Sequence, residues 1–335
     1  MNKLVVFFFV LLLGVNSVSA QSDTLRFLFV GDVMGHDSQI NAAYNYKTGK
    51  YNYDTCFSYV SPIFKKHDFV VANLEVTLNC KPYSGYPAFS SPAELPAAMI
   101  KAGVNVFVTA NNHSADRGYN GVVKTVKALD SLNVLHTGTF INTEDKKKNN
   151  PLILTKNGFS IALLNYTYGL NGIPIPSGTF INMLDTNTIK TDIDYCKNLN
   201  IDKIIAFVHW GNEYETAPNL SQKRVAGFFK RNGVEIVIGS HPHVVQPSYF
   251  ENDITNENQS LVVYSLGNFI SNQRTQPRDG GQMIQLTLVK NNGKIKIENV
   301  SNYLTWVHAP YFKEKKYFFV LPVAQFETNP DFLLG

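Results

Sequence analysis

A chain of 335 residues, 44% apolar and only 17% charged, can bury a large core, which excludes an intrinsically disordered protein. Its net charge of +4 comes from 30 Lys and Arg against 26 Asp and Glu, with no basic stripe interleaved with aromatics, so no nucleic acid is expected as a partner. Its 3 cysteines include no Cys-x-x-Cys, which removes thiolate zinc and dithiol redox chemistry.

Lys3, the unbroken apolar run Leu4 to Leu13 and the small residues Val18-Ser19-Ala20 read as a signal peptide over residues 1–20, cut before Gln21. The competing reading is a membrane anchor, but the run is shorter than the ~20 residues a spanning helix needs. No cysteine follows the cut to carry a lipid. The expectation is therefore a soluble mature chain, residues 21–335, exported to the periplasm or the extracellular space. An odd cysteine count permits one disulfide, with Cys56–Cys80 as a candidate, and three reduced cysteines is the simpler reading.

Leu25 to Val30 is an apolar run that stops at Gly31-Asp32, so Asp32 falls just past a strand, with His36 and Asp37 close enough to face the same place. Tyr44 to Phe64 is aromatic and polar without period, and Cys56 to Lys66 reads as a short helix. Asp68 to Ala72 is a second strand, stopping at Asn73-Leu74-Glu75. Asn79 to Pro92 is rich in Pro, Gly and Ser and reads as a loop. Ala93 to Ala102 is a helix closed by Gly103. Val104 to Thr109 then leads into Ala110-Asn111-Asn112-His113-Ser114-Ala115-Asp116, a very polar segment to leave a buried strand.

Gly121 to Asn133 sets Val122, Val126, Leu129 and Leu132 on one side of a helix, and His136 in the next short strand reads as structural. Glu144 to Pro151, with its lysine run, reads as a solvated loop. Leu152–Thr155 and Ser160–Tyr166 form a hairpin around Asn157-Gly158. Thr167 to Gly178 should be a long loop near the site, followed by a helix over Asn187 to Leu199. Lys203 to Val208 delivers His209-Trp210-Gly211-Asn212-Glu213, and Ser221 to Asn232 is the next helix. The strand Ile236-Val237-Ile238-Gly239 delivers His241-Pro242-His243. Leu261 to Tyr264 ends in Ser265-Leu266-Gly267-Asn268-Phe269, and Met283–Val289 pairs with Lys294–Val300 around Asn291-Asn292-Gly293. This is one domain, with a motif core over 25–290 and a C-terminal aromatic extension over 301–335.

Strands alternating with helices imply a largely parallel sheet, and such sheets bind ligands beyond the carboxyl ends of their strands. Asp32, Glu75, Asn112, His113, His209, His241 and His243 all fall there. Their oxygens and imidazoles are roughly what two divalent ions about 3.5–4 Å apart need. Mixed N and O donors without thiolate suit Mn, Fe or Zn better than Ca. The competing reading is a set of unconnected capped turns and core histidines.

Gly31-Asp32, Asn73-Leu74-Glu75, Ala110-Asn111-Asn112-His113-x-x-Asp116, His209-Trp210-Gly211-x-Glu213, Gly239-Ser240-His241-Pro242-His243-Val244 and Tyr264-Ser265-Leu266-Gly267-Asn268-Phe269 resemble, in order, the CapA family. That family is named for capsule and poly-γ-glutamate biosynthesis, and it looks like a divergent branch of the calcineurin-like metallophosphoesterases. The resemblance implies a four-layer α/β/β/α sandwich. It implies a divalent metal cofactor, one or two ions, held by Asp32, Glu75, Asn112, His209, His241 and His243. Glu75 would stand where those enzymes have a bridging Asp, and His113 would serve the transition state with Asp116 orienting it. Asn73, Asn111, Trp210, Glu213 and Asn268, within the same motifs, are expected to contact substrate. One departure is plain: the phosphoesterase Asp-x-His is here Asp32-Val33-Met34. The function implied is a metal-dependent hydrolase acting on an anionic polymer or phosphoester. The alternative is a non-catalytic component of polymer export, working with membrane-bound synthesis partners. A weaker third reading is an anion- or metal-binding receptor, against which the His113–Asp116 pair speaks.

Overall fold

The computed structural model describes residues 23–253 and 258–327; the expected signal peptide lies outside them, as does the end of the aromatic extension. Two sheets form the centre. In the first, β1 (Asp23–Val33), β2 (Phe69–Leu74), β3 (Val106–Val108) and β4 (Leu135–Thr137) run parallel. The second holds β5 (Leu152–Lys156), β6 (Phe159–Thr167), β7 (Lys203–His209), β8 (Ile236–Ser240), β9 (Val245–Asp253) and β10 (Asn258–Leu266). Its order is β5-β6-β7-β8-β10-β9, parallel in the middle and antiparallel at both edges. The chain then crosses back: β11 (Asn268–Ile270) pairs with β1 in parallel. Beyond β1, β12 (Gly280–Asn291), β13 (Lys294–His308) and β14 (Phe319–Pro322) extend the first sheet antiparallel.

The helices are α1 (Asp37–Ala43), α2 (Ser61–Phe64), α3 (Glu94–Ala102), α4 (Gly118–Ser131), α5 (Thr143–Asn149), α6 (Thr186–Lys197) and α7 (Leu220–Arg231). Strand alternation decides what they cover. In β1, Leu25, Phe27 and Phe29 join the core between the sheets, while Leu28 and Val30 pack with Phe64, Leu95, Met99 and Leu129 of the helices. In β7, Ile205 and Phe207 face the other sheet, while Ala206 and Val208 pack with Ile189 and Ile193 of α6 and Phe229 of α7. The result is helix, sheet, sheet, helix: the expected four-layer α/β/β/α sandwich. Three apolar cores along the strands leave the strand ends free to carry polar groups.

Both expected hairpins form, and Asn157, Gly158, Asn292 and Gly293 all take positive φ as tight two-residue hairpin turns require. Other expectations need correction. The first sheet is antiparallel over its C-terminal half. Residues 301–308 are not an extension but the second half of β13, and β14 is an edge strand of the same sheet. The lysine-rich stretch is α5, not a loop: Asn142 caps it by accepting from the Asp145 amide, with acidic residues in the first turn and lysines in the last. Cys56 to Lys66 divides into a 3₁₀ turn, Asp54–Phe57, and α2. All three cysteines are buried and reduced.

Candidate metal centre

Both sheets end their parallel strands at the same edge, and there the polar residues gather. Register places Asp32 opposite Asn73 on one side and Asn268 on the other. His209 ends β7 opposite Ser240 of β8. Two glycines permit the close packing that this needs. A Cβ on Gly31 would stand 2.0 Å from the Gly267 carbonyl oxygen, and one on Gly239 would stand 2.2 Å from that of Tyr264. Beyond β8 the chain turns through His241 at φ 100° and His243 at φ 58°. Side chains rarely sit in such conformations, which cost of order 1–3 kcal/mol each and persist where the surroundings dictate them.

Two triads of donors result, Asp32–Glu75–His209 and Glu75–His241–His243, each with ligand atoms within 4.8 Å of one another, and Glu75 belongs to both. Asp32, Glu75 and His209 are fully buried, and His241 and His243 are 2% exposed. Asp32 Oδ1 accepts from Asn73 Nδ2 at 2.8 Å, and Oδ2 lies 3.1 Å from His243 Nδ1. Glu75 Oε1 lies 3.4 Å from His209 Nε2 and 3.8 Å from His243 Nε2. His209 Nε2 also faces Asn112 Oδ1 at 2.9 Å, so the amide oxygen expected as a ligand points into the first triad. Among the described residues, Glu75 Oε1 and His241 Nδ1 are buried without any hydrogen bond. Polar atoms left so are costly, and buried charges need a partner or a metal.

The electrostatics of the cluster are strained in the same sense. Burial, then the charge of Asp32, pushes the Glu75 carboxyl well above its usual range. Burial alone would raise Asp32 too, but the hydrogen bond and charge of His243 outweigh it and hold Asp32 at about 2. Burial lowers His209 to about 3 and, helped by the other imidazoles, holds His241 well below the usual value. For His243, burial lowers the pKa, but Glu75 and Asp32 together overcome it and raise it to about 9.

His113 is 3% exposed, and its Nδ1 lies 2.8 Å from Asp116 Oδ2, which also accepts from the Phe89 amide. His36 stays outside both triads: its Nδ1 faces Gln39 Oε1 at 3.1 Å and accepts from the Asn272 amide at 3.2 Å, and it caps α1. Asp37 accepts from the Gly85 amide. The position two after Asp32, expected in phosphoesterases to hold His, is the buried Met34. His136 is paired with Asp130 away from the cluster, as a structural residue would be.

Of the residues expected to contact substrate, four are spent elsewhere. Asn73 and Asn111 are buried and donate to Asp32 and to the Leu74 carbonyl respectively. Asn268 sets its Oδ1 against His243 Nδ1 and donates to the Arg278 carbonyl, so it orients the imidazole. Trp210 is turned to the opposite face of β7 by strand alternation, donates to the Tyr264 carbonyl at 2.9 Å and packs under α6 and α7. Glu213 is exposed, beside Tyr168 and Tyr214.

Sequence reasoning missed several neighbours. Ser240 Oγ lies 2.9 Å from His209 Nδ1 and fixes that ring from behind. Tyr168, 45% exposed, lies tilted over His241 with ring centroids 4.5 Å apart. Tyr214 covers His243 at 6.2 Å, and Arg278 lies over the Tyr214 ring at 4.6 Å. The only signal for Tyr168 was its place in the loop expected near the site.

The donor set fits a divalent cation: two carboxylates, an amide oxygen and three imidazoles, with two buried polar atoms waiting for a partner. Comparison with known proteins agrees with the motifs. Residues 26–273 match the family model of the bacterial capsule synthesis protein PGA_cap. The chain is 28% identical over 286 residues to the capsule biosynthesis protein CapA of Bacillus anthracis and 29% identical over 288 residues to the PGA biosynthesis protein CapA of Bacillus subtilis. Those alignments take in 82% and 80% of this chain, which spans 66% and 69% of the length of those relatives. Among solved structures, a phosphatase of Mycoplasma pneumoniae aligns over 84% of this chain and 93% of its own, at 16% identity and a TM-score of 0.48. A calcineurin-like phosphoesterase of Bacillus subtilis aligns over 84% and 90%, also at 16% identity and a TM-score of 0.48.

Proposed function

We propose, from the premise that this chain belongs to the PGA_cap family of bacterial capsule synthesis proteins, that its buried donor cluster is the metal centre of a hydrolase acting on an anionic envelope polymer or phosphoester. One observation carries the reading: both donor triads share Glu75, and the cluster's two unpartnered polar atoms lie in them. Asp32, Glu75, Asn112 and His209 would hold one divalent ion, and Glu75, His241 and His243 a second. Such an ion supplies Lewis acidity toward a phosphoryl or carbonyl oxygen.

The chain's own residues do the rest. Asp116 holds Nδ1 of His113, leaving Nε2 to give a proton to the leaving group or to steady the charge that develops on it. Ser240 and Asn268 hold His209 and His243 in place, so the donors are arranged before anything binds. Tyr168 and Tyr214 cover the imidazoles at the rim and limit water. The signal-peptide pattern of residues 1–20 supports an exported location for this chemistry.

Adding Mn²⁺, Zn²⁺ or Fe²⁺ to purified protein and assaying model phosphodiesters and γ-linked glutamyl peptides tests the reading. Metal-dependent turnover lost in His241→Ala supports it. Turnover that survives His241→Ala ends it.

The buried Met34, where phosphoesterases place the His of Asp-x-His, favours a second reading. In it the fold serves polymer export or capsule assembly without turnover, alongside membrane-bound partners. Turnover by the isolated protein excludes that as the whole role.

A further inference from the structure

A second feature lies beside the metal centre, along α1. A cleft of about 700 Å³ runs between the hairpin at residues 44–51 and the hairpin at residues 311–316, with Ser38, Asn41 and Ala42 of α1 as its floor. Its walls carry Lys47, Lys313, Lys315 and Lys316 against a single carboxylate, Glu314. None of these four lysines forms an ion pair among the described residues. Between them stand Tyr44, Tyr46 and Tyr311, with Tyr46 83% and Tyr311 68% exposed. Unpaired lysines gathered around exposed tyrosines make a surface that attracts anions and also offers flat apolar area.

A relay of contacts links the cleft to the neighbourhood of His113. Lys316 Nζ donates to Asn272 Oδ1 at 2.9 Å, and the Asn272 amide donates to His36 Nδ1. The His36 ring lies 5.2 Å from Phe89, which lies 4.6 Å from His113. From His36, α1 carries 7 residues outward, about 10 Å of helix axis, to the tyrosine hairpin.

We propose that this cleft binds a linear polycarboxylate, its spaced carboxylates meeting Lys47, Lys313, Lys315 and Lys316 while its uncharged backbone lies on Tyr44, Tyr46 and Tyr311. The inference rests on the reading above that the substrate is an anionic polymer, and it states where such a chain is held outside the centre. Lysine ammoniums suit it. They act as flexible point charges that can follow carboxylates spaced along a chain, and no arginine fork, which would match carboxylate and phosphate alike, lines the cleft.

Anisotropy of a fluorescent γ-linked glutamate oligomer, titrated without added metal, tests the proposal. The combined variant Lys47→Gln, Lys313→Gln, Lys315→Gln is expected to bind about tenfold more weakly, from three exposed charge contacts, with a flatter salt dependence. Tyr46→Ala alone should weaken binding as well, and it carries the test if the triple variant does not fold by circular dichroism. An unchanged affinity in the folded variants overturns the proposal. So does a single-stranded oligonucleotide of equal charge that binds as tightly and is lost in the same variants. Because this titration reads binding alone, cleft-dependent binding together with no turnover in the separate metal-supplemented assays would sink the hydrolase reading and leave this one standing. Hydrolysis of the oligomer with binding untouched in the variants would do the reverse.

Discussion

His209 Nε2 lies 2.9 Å from Asn112 Oδ1, although the two residues are 97 positions apart, one ending a strand of the second sheet and the other in the turn after β3 of the first. The imidazole is fixed on its other nitrogen by Ser240 Oγ. Ring and amide therefore converge on one point before any ion arrives.

The first prediction follows from the Ser240 contact. Ser240→Ala removes the group that sets the His209 tautomer and leaves the donor atoms themselves in place. Loss of such a supporting contact typically costs about 10–100-fold in metal affinity. Titration of Mn²⁺ or Zn²⁺ against a competing chelator should show that loss, with the melting curve of the metal-free protein nearly unchanged. Wild-type affinity in the variant would mean that the Ser240 contact does not set the ring, Asn73 Nδ2 at 3.3 Å from the same nitrogen being enough.

Asp116→Asn separates metal binding from proton transfer. Asp116 contacts His113 and the Phe89 amide but belongs to neither donor triad. Metal content should be retained while kcat on a turned-over phosphodiester falls by about 10²–10⁴, the usual contribution of an oriented acid–base group. A variant that loses metal and activity together would place Asp116 in the ligand set.

Trp210→Phe tests where the indole points. Its Nε1–H donation to the Tyr264 carbonyl would be lost and a buried acceptor left unpaired, at a cost of about 1–3 kcal/mol in denaturant unfolding. Metal affinity should not move. A change in metal binding with unaltered stability would return Trp210 to the site.

These contrasts show what the sequence could and could not say. Asp32, Glu75, Asn112, His209, His241 and His243 were legible because each follows an apolar run, and parallel strands deliver their ends to one edge. The four layers came from the family resemblance. Trp210 was grouped with substrate because it adjoins His209, whereas alternation sends neighbours to opposite faces; Asn268 was grouped with substrate through its motif, and in the fold it orients His243 instead. Tyr168 and Ser240 carry no motif; only the fold brings one over His241 and the other behind His209. The β12–β13 hairpin was legible up to Val300, but its place in the first sheet and its continuation were hidden because residues 301–308 read as an aromatic tail.

Acidity gives a further prediction. In the metal-free protein burial and the charge of Asp32 push the Glu75 carboxyl above its usual range, and His243 is raised to about 9 by Glu75 and Asp32, so His243 carries a proton at neutral pH. A cation bound by His243 must displace that proton. Affinity should therefore rise with pH toward about 9 and fall on acidification. Adding Mn²⁺ to weakly buffered protein near neutrality should release protons. Binding without release, or affinity that falls as pH rises through neutrality, would contradict this.

The most direct measurement is the metal stoichiometry of wild-type protein and Glu75→Gln, determined side by side by elemental analysis after equilibration with Mn²⁺. Glu75 is the residue common to both triads. Wild-type protein should retain one or two ions per chain, and the glutamine variant, of nearly the same shape, should lose all of them while remaining folded. A wild-type chain that holds no ion, or a variant that keeps the full complement, would contradict the claim that these residues form one metal centre.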